Sequence, residues 1–409
     1  MIKKGLKIFA ISFAVLLLLF ISFIYLMYSN FEKLGYADIV NENHNDTIPF
    51  YYSNSGHILI DVSLEDDTAT YPFILDSGAS NIIFNKEDSD IELENNGFSF
   101  GIGASGNFFW SGIKKLNKLQ LGNLSFENIH LKSVDYNADC FEAYGLIGTG
   151  IMRHLVWKID FENKIIIVSD EIKRDFKNQD VLKFKLSENS FGHQLRLPLK
   201  LSDRGQKIST LVDLGSNSNL SIDEDYILAD SLSFDSKRFY GSGASGLGDA
   251  VDEKFEGRLY LIDTLSFVGS GHSINNFPIS AEYNSLNLLG LGFLKNYKTT
   301  ISWKDDLLLL EPYDSVQNFI GKTAGMGTRF VKQDKRIQIS SLTEGTPASK
   351  LNLSLGDEIL AVNGLSVFNE DEYCDMLHTI SGIDTILVEV KRHDTISNVQ
   401  IIKEPIFRK

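Results

Sequence analysis

The sequence predicts an all-β protein made of two homologous β lobes, followed by a small α+β, β-sandwich-like domain and preceded by one transmembrane helix. After Gly56 most of the chain consists of short apolar runs separated by Gly, Asn, Asp and Ser, a pattern typical of strands. Several segments recur in the same order about 140 residues apart, which indicates two copies of one unit. An uncharged run near the start and a change of pattern after about Phe319 set both ends apart from this repeat.

The N-terminal segment predicts a membrane anchor. Residues 8–28 contain no charge, and at about 1.5 Å per residue a helix of this length spans a hydrocarbon core of roughly 30 Å. Lys3, Lys4 and Lys7 precede it, so the positive-inside rule places residues 1–7 in the cytoplasm. The alternative, a cleaved signal peptide, is disfavoured because its apolar core usually has about 7–15 residues. We expect a single-pass membrane protein with its bulk on the outer, periplasmic side.

The charge of the chain and its cysteine and histidine content exclude some classes of partner and some kinds of site. The chain has 409 residues and a formal net charge of −15, which disfavours nucleic acid as a partner. Its two cysteines, Cys140 and Cys374, lie far apart in segments predicted to belong to different domains, so we expect no disulfide. The histidines show no metal-ligand spacing, so we expect neither a metal nor another cofactor.

The internal repeat defines the domain organisation. Its matched segments, first copy before second, are FILDSGASNIIF (73–84) with TLVDLGSNSNLSI (210–222), FGIGASG (100–106) with YGSGASG (240–246), YGLIGTGIM (144–152) with NLLGLGFL (287–294), and WKIDFENKIIIV (157–168) with TTISWKDDLLLL (299–310). Because these pairs occur in the same order and at a nearly constant separation, they indicate that the chain contains two copies of one β lobe. The predicted boundaries are a stalk at 29–52, a first lobe at 53–170, a connection at 171–192, a second lobe at 193–314 and a C-terminal module at 319–405.

Two patterns that imitate other sites are set aside, and a third kind of site lacks its motif. GIGASG and GSGASG both satisfy the dinucleotide fingerprint G-x-G-x-x-G, but each runs into strand-like sequence where that fingerprint needs a helix. The GLGF run at 290–293 imitates a peptide-carboxylate loop, yet its counterpart in the first copy assigns it to the lobe. No G-x-S-x-G elbow occurs, which disfavours a serine hydrolase.

The repeated motif resembles the two lobes of pepsin-like and retropepsin-like aspartic proteases over roughly residues 53–314. That family carries an apolar strand followed by Asp-Thr/Ser-Gly, and later an apolar pair ending in Gly. The residues that match are Ile74-Leu75-Asp76-Ser77-Gly78-Ala79-Ser80, Leu146-Ile147-Gly148 and Leu288-Leu289-Gly290. The resemblance implies an endopeptidase acting on protein or peptide substrates with Asp76 and Asp213 as its catalytic pair. Both Asp lie in one chain, so no dimer is required for the pair.

The chemistry of such a pair explains the residues around it. Two carboxyl groups about 3 Å apart cannot both ionise, so the pair holds one proton and titrates as a unit. The ionised member takes a proton from the attacking water, and the protonated member donates to the peptide carbonyl oxygen. Gly78 and Gly215 allow a sharp turn and leave their amides free to face the carboxylates. Gly148 and Gly290 are the matching glycines of the lobe architecture.

The glycine-rich segments stand where the family carries its flap hairpin in the first lobe. Gly101, Gly103 and Gly106 are therefore the expected flap residues. The aromatic run at 108–110 either covers substrate or belongs to the core of the lobe, and both readings stay open.

Leu214 departs from the family pattern, which has a hydroxyl residue at this position that hydrogen-bonds across the lobe interface. Ser77 can make its half of that exchange, whereas Leu214 cannot. A lost net hydrogen bond costs about 0.5–1.5 kcal/mol, or about 1–3 kcal/mol if a buried group is left unsatisfied. Ser216 is expected to compensate by bonding the Asp213 carboxylate. We therefore expect a working enzyme, the alternative being a catalytically silent peptide-binding protein or scaffold.

The C-terminal module resembles a PDZ domain. Its centre, residues 345–367, contains Gly356-Asp357-Glu358-Ile359 and an Asn363-Gly364 hairpin turn. The sequence predicts a helix over 369–380 capped by Asn369, followed by two strands at 385–391 and 397–402. The resemblance implies a carboxylate loop that takes peptide C-termini, formed by Gly325, Met326, Gly327 and Thr328. The alternative is a docking module whose groove recognises nothing.

Overall fold

A computed structural model provides the architecture. It describes residues 2–41, 44–65, 67–86, 91, 93–136, 140–172, 181–190, 192–202, 205–230, 232–243, 246–250, 252–314 and 319–407, with the side chains of the first helix described from Phe9 onward. Part of the predicted connection at 171–192 and two residues of the second glycine-rich segment lie outside these ranges. Within them the protein is mainly β, with one long N-terminal helix.

The N-terminal helix α1 (Ile2–Leu34) contains a segment, Phe9–Leu34, that is long and apolar enough to cross a membrane. A signal sequence would pass the same test of length and composition. The helix runs six residues beyond the predicted end at Tyr28, because its last turns pack against the first β unit. Met27, Asn30 and Leu34 are buried there, whereas the described residues before Met27 are exposed.

The first β unit follows α1. Its elements are β1 (Asp38–Ile39), β2 (Asp46–Pro49), β3 (Tyr51–Tyr52), β4 (Ile58–Leu64), β5 (Tyr71–Leu75), β6 (Ile82–Phe84), β7 (Glu94–Ile102), β8 (Phe108–Leu121), β9 (Leu124–Val134), β10 (Gly145–Ile147), α2 (Thr149–Met152), β11 (Val156–Asp160) and β12 (Ile165–Ser169). Most of these strands form one sheet in the order β1-β9-β6-β10-β5-β4-β8-β7.

The predicted stalk at 29–52 is wrong as a separate segment. Within its described residues, β1 pairs with β9, β2 with β12 and β3 with β4, so this stretch is part of the β body. The few apolar residues involved, Ile48 and Phe50 among them, are buried. They are too widely spaced to give a strand pattern, and the pairing is decided by sheet edges far away in sequence.

The second β unit repeats this arrangement. Its elements are β13 (Leu182–Lys185), β14 (Ser187–Glu188), β15 (Leu195–Lys200), β16 (Ile208–Asp213), β17 (Leu220–Asp223), α3 (Asp225–Ala229), β18 (Asp235–Ser242), β19 (Lys254–Phe267), β20 (His272–Glu282), β21 (Leu288–Gly290), α4 (Leu291–Leu294), β22 (Tyr297–Ser302) and β23 (Leu307–Pro312). In β15 the alternating residues Leu195, Leu197 and Leu199 are buried, as expected for a strand with one face on the core.

The repeated sequence segments occupy equivalent places in the two units. β5 pairs in parallel with β10, as β16 does with β21. β6 pairs antiparallel with β10 and parallel with β9, and β17 makes the same two kinds of pair with β21 and β20. The units share a sheet through antiparallel pairing of β11 with β22. Sequence similarity between the copies therefore corresponds to equal strand connectivity.

The C-terminal module contains a core of its own. Its elements are β24 (Lys322–Thr323), β25 (Met326–Val331), β26 (Arg336–Thr343), α5 (Pro347–Lys350), β27 (Glu358–Val362), β28 (Leu365–Ser366), α6 (Glu370–Ser381), β29 (Thr385–Arg392), β30 (Thr395–Ile402) and β31 (Glu404–Pro405). The predicted helix and strands agree with α6, β29 and β30, and the Asn369 side chain accepts from the Glu372 N–H at 2.9 Å. The Asn363-Gly364 turn joins β27 to β28, with both φ angles positive.

The module is fastened to both β units. β26 extends the sheet of the second unit by pairing with β18. A disulfide joins Cys140 of the first unit to Cys374 on α6, with the two Cα atoms 5.3 Å apart. The expectation of no disulfide is therefore wrong. The two cysteines are 234 residues apart in sequence, and only the docking of α6 against the loop after β9 brings them together.

Candidate active site

Two aspartates stand at equivalent strand ends. Asp76 directly follows β5 and Asp213 ends β16, and each of these strands lies beside a parallel partner. The backbone N–H of Asp76 donates to the Ile147 carbonyl at 2.9 Å, which extends the β5–β10 pairing by one residue. The strands thus fix the position and direction of both aspartates.

The two carboxyl groups meet where the units join. A Cβ added to Gly78 would lie 2.5 Å from Cγ of Asp213, and one added to Gly215 would lie 2.5 Å from Cγ of Asp76. Only glycine leaves room for this crossed packing, in which each turn covers the aspartate of the other unit. The carboxyl groups of Asp76 and Asp213 are thus close enough for each to affect the pKa of the other.

Backbone amides support each carboxylate. Gly78 and Ala79 donate to Oδ1 of Asp76 at 2.8 and 3.1 Å. Gly215 donates to Oδ1 of Asp213 at 2.8 Å, and the Ser216 N–H adds a second bond. These donors favour the ionised form and partly oppose the effect of burial.

Burial nevertheless dominates the titration of the pair. It raises the pKa of Asp76 above its ordinary value. Burial, together with the negative charge of Asp76, raises the pKa of Asp213 well above its ordinary value. Two adjacent carboxyl groups with these shifts share one proton over a range that extends above the ordinary pKa of Asp.

Ser77 holds the two turns together. Its buried hydroxyl donates to the Val212 carbonyl at 2.8 Å and accepts from the Leu214 N–H at 3.0 Å. Leu214 has no polar side-chain atom with which to return this contact. Its side chain is buried in the main hydrophobic core instead.

The Ser216 hydroxyl does not bond Asp213, contrary to the expectation from sequence. It pairs with the Ser218 hydroxyl at 2.9 Å, while Ser216 reaches Asp213 only through its backbone N–H. Ala79 provides the same backbone contact to Asp76. The turn directs the side chain of this position away from the carboxylate, so the serine hydroxyl gives Asp213 no contact that alanine would lack.

Gly148 and Gly290 lie behind the two turns, at the start of α2 and α4. The Gly148 N–H donates to Oδ1 of Asn81 at 2.9 Å, and the Gly290 N–H donates to the Asn219 carbonyl at 3.1 Å. A Cβ on either glycine would lie within about 2.6 Å of backbone atoms in the aspartate turn of the same unit. Both glycines therefore permit the close packing that holds the turns in place.

The β7–β8 hairpin reaches from the first unit to the second. Gly101 is within β7, Gly103 is buried at the turn, and Gly106 has φ +82°. The tip contacts the second unit: the Leu286 N–H donates to the Ala104 carbonyl at 3.0 Å. Polar side chains at the tip also bond the second unit, with Ser105 Oγ donating to the Asp249 carboxylate and Asn107 Nδ2 donating to its Oδ1 at 2.8 Å. The hairpin thus covers the space between the units.

A cavity of about 740 Å³ lies beneath this hairpin. Gly78 and Ala79 of the Asp76 turn line one end, and Phe109 of the hairpin lines the cover. Phe23 and Met27 of α1 line the side. The aromatic run is therefore divided: Phe109 faces the cavity, while its two neighbours are exposed.

Two polar residues beside the pair escaped the sequence analysis. Gln194 donates from Nε2 to the Gly78 carbonyl at 3.2 Å. His57 contacts the Gly215 backbone and lies 3.3 Å from Nδ2 of Asn217, and burial lowers its pKa. Neither lies in a repeated segment, so no pattern marked them. Among the residues that the structure describes, no cluster of three or more His, Cys, Asp or Glu side chains is arranged to hold a metal ion.

A second candidate site is the loop that leads into β25. Gly325 has φ +77°, and its N–H donates to Oγ1 of Thr323 at 2.9 Å. Met326 and Gly327 pair with β26, while the Thr328 carbonyl accepts from the Tyr373 hydroxyl at 2.7 Å. Tyr373 belongs to α6, so this bond joins α6 directly to β25.

Comparison with known proteins identifies the C-terminal module. The PDZ domain family model matches residues 324–402, and this part of the chain is a PDZ domain. Among solved structures, the chain is similar to an aspartic proteinase from Irpex lacteus, with a TM-score of 0.42 and 10% sequence identity over 66% of this chain and 98% of that one. No curated protein sequence matches the chain significantly.

Proposed function

We propose that the protein is a membrane-anchored aspartic endopeptidase of two pepsin-like lobes, in which Asp76 and Asp213 activate water for peptide hydrolysis. The observation that carries this proposal is the pair itself. Two adjacent carboxyl groups, that of Asp213 buried and that of Asp76 half-buried, come from equivalent strands of a repeated unit, and each packs against the glycine turn of the other unit. A structural ion pair would bring opposite charges together, whereas this site brings together two acids.

The environment favours a single proton shared by the pair. Burial disfavours ionisation of each carboxyl group, and their proximity prevents both from ionising together, so Asp76 and Asp213 hold one proton between them. The ionised member takes a proton from water as the oxygen attacks the peptide carbonyl carbon, while the protonated member donates its proton to the carbonyl oxygen. The resulting tetrahedral diol collapses with cleavage of the C–N bond: the leaving amine takes a proton from one carboxyl group, and a diol hydroxyl returns its proton to the other.

The β7–β8 hairpin acts as the flap in this proposal. Its contacts with Asp249 and Leu286 hold it over the cavity that Gly78 and Ala79 of the Asp76 turn line. Closure excludes bulk water, which strengthens the electrostatic interactions of the pair with substrate. Phe109 provides the apolar surface that faces the bound peptide.

The PDZ domain provides the recruiting function. PDZ domains bind peptide C-termini by strand addition, and in this chain the loop at 325–328 leads into the strand that would receive one. The pairing of β26 with β18 and the disulfide to the first unit hold the PDZ domain at a fixed position relative to the proposed active site. We assign α1 as a retained anchor with a cytoplasmic N-terminus, which places both domains on the periplasmic side.

The test is cleavage of a peptide library by the full-length protein in detergent micelles, from about pH 3.5 to pH 8, a range that brackets the shifts expected for a coupled carboxyl pair. Asp76→Asn and Asp213→Asn should each reduce cleavage by roughly 10²–10⁴-fold. Asp263→Asn changes an exposed aspartate on β19 and should leave it unchanged. Absence of cleavage at every pH, or cleavage that survives both dyad substitutions, contradicts the proposal.

A catalytically silent peptide-binding protein is the second candidate, and Leu214 is the observation that favours it. The turn around Asp213 lacks the hydroxyl that Ser77 provides on the other side. Library peptides that bind the full-length protein but are recovered intact, with and without the dyad substitutions, would favour this function.

A further inference from the structure

The β7–β8 hairpin has two faces of different character. On one face, Phe109 lines the cavity. The other face carries large apolar side chains, of which Phe100 and Ile102 also border the cavity. Most of them are unusually accessible: Phe98 is 41% exposed, Ile102 56%, Phe108 52% and Trp110 59%. Soluble surfaces rarely carry such side chains as one contiguous patch.

These side chains form one surface because of the strand register. Phe100 pairs with Trp110 and Ile102 with Phe108, so all of them project on the same side of the hairpin. The rings contact each other, with centroids 5.4 Å apart for Phe108 and Trp110 and 5.2 Å for Phe100 and Phe108. We call the surface formed by Phe98, Phe100, Ile102, Phe108 and Trp110 the aromatic face.

The aromatic face is continuous with the end of α1. Asn30 Nδ2 donates to the Phe98 carbonyl at 2.8 Å, and the Phe31 ring lies edge-on to Phe100 with centroids 5.0 Å apart. One turn further, Lys33 Nζ donates to Oδ1 of Asn96 at 3.0 Å. The helix that carries the candidate membrane span is therefore bonded directly to the strand that carries this face.

The place where the aromatic face contacts α1 determines how deep in the membrane this face lies. The predicted apolar span ends at Tyr28, and Asn30 is two residues further, which is about 3 Å along a helix axis. The bond from Asn30 thus holds Phe98 close to the level at which the hydrocarbon span ends. Trp and Tyr side chains are enriched at this level of a membrane, and apolar faces that carry Trp, Phe and Leu insert into it.

We propose that the aromatic face lies in the interfacial layer of the membrane that α1 spans, and that lipid of that bilayer is its partner. This inference rests on the retained anchor of the proposed function and is independent of catalysis. In this position the exposed aromatic side chains contact lipid and not water.

The proposal has a consequence for the cavity. Phe23 and Ile24, which line the cavity together with Gly78, belong to the apolar span of α1. Phe100 and Ile102 of the aromatic face line it as well. The cavity is therefore bordered by the two elements that contact lipid, and a peptide would reach it at the membrane surface.

Tryptophan quenching in vesicles tests the inference. Trp157 and Trp303 are buried in the β body, so the difference in emission between the wild type and Trp110→Phe reports Trp110. The full-length protein is reconstituted in phosphatidylcholine vesicles that carry nitroxide labels either near the headgroup or deep in the acyl chain. We expect the shallow label to reduce Trp110 emission by roughly twofold or more and the deep label to have less effect, as for other interfacial tryptophans.

A control separates failure of the inference from failure of the anchor. Tyr25→Trp in the Trp110→Phe background places the reporter in the span of α1, where lipid labels must quench it if the helix crosses the membrane. Quenching at position 25 with no lipid quenching at position 110 overturns the inference and keeps the anchor. Loss of quenching at both positions contradicts the anchor as well. Protection of Trp110 from lipid labels and from aqueous iodide assigns the face to a protein partner or second copy, and also overturns the inference.

Discussion

Replacing Ser77 by alanine should weaken the junction between the two β units more than any other single hydroxyl deletion at the site. The Ser77 hydroxyl is fully buried and makes two bonds to the opposite turn, one as donor to Val212 and one as acceptor from Leu214. Alanine removes both bonds and leaves a buried carbonyl and a buried N–H without these partners.

The expected magnitude follows from those two groups. A buried polar group that loses its partner costs about 1–3 kcal/mol. Two such groups, with some relaxation of the turns, give roughly 2–4 kcal/mol. At about 2 °C per kcal/mol for a unit of this size, the melting temperature should fall by roughly 4–8 °C.

The assay is thermal unfolding of the full-length protein in detergent micelles, followed together with peptide cleavage. Ser77→Thr keeps the hydroxyl and should retain most of the stability. Ser216→Ala is the matched control, because that hydroxyl bonds only the nearby Ser218 hydroxyl. It should shift the melting temperature by less than about 2 °C, since one partly exposed hydrogen bond contributes at most about 1 kcal/mol. If the melting temperature falls no further for Ser77→Ala than for Ser216→Ala, the hydrogen bonds of Ser77 do not stabilise the junction and the reasoning is refuted.

Three further perturbations have defined outcomes. The pKa of Asp213 is raised in the folded state, so ionisation of this carboxyl group destabilises the folded state as pH rises above about 4. Asp213→Asn should therefore have a higher melting temperature than the wild type at neutral pH and the same melting temperature below pH 4. Melting curves recorded across this pH range check the prediction. Asp249→Ala removes the acceptor of the flap tip and should raise KM by about tenfold with a smaller change in kcat, measured by steady-state kinetics. Cys374→Ser opens a link that closes a loop of 234 residues, so the melting temperature should fall by an amount equivalent to at most about 5 kcal/mol. Reduction should change the gel mobility of the wild type, and the absence of this change in the variant would show that the disulfide is missing.

Local patterns in the sequence predicted those parts of the structure that local chemistry decides. The aspartate turns follow apolar strands and carry glycine where the backbone must approach a carboxylate, so both motifs were visible in single segments. Asn369 as a helix cap and Asn363-Gly364 as a hairpin turn are likewise short-range features. Duplication added the equivalence of Asp76 and Asp213, which neither segment shows alone.

Features decided by contacts between distant segments were not predictable in this way. The strands within residues 38–52 form because sheet edges in the β body are available to them, and their own sequence shows no strand pattern. The disulfide depends on docking of the PDZ helix, and the bond from Asn30 to Phe98 depends on how α1 meets the hairpin. At Ser216 the residue type suggested a hydrogen bond, but the direction of the turn decided against it.

The proposed mechanism depends most on the two aspartates acting as a single unit. Cleavage of one peptide should be compared among the wild type, Asp76→Asn, Asp213→Asn and the variant carrying both substitutions. We expect each single variant to lose roughly 10²–10⁴-fold in kcat/KM and the double variant to lose no more, because removing either carboxyl removes the shared proton. Losses that multiply in the double variant, or a single variant that keeps the wild-type rate, would contradict a shared-proton dyad.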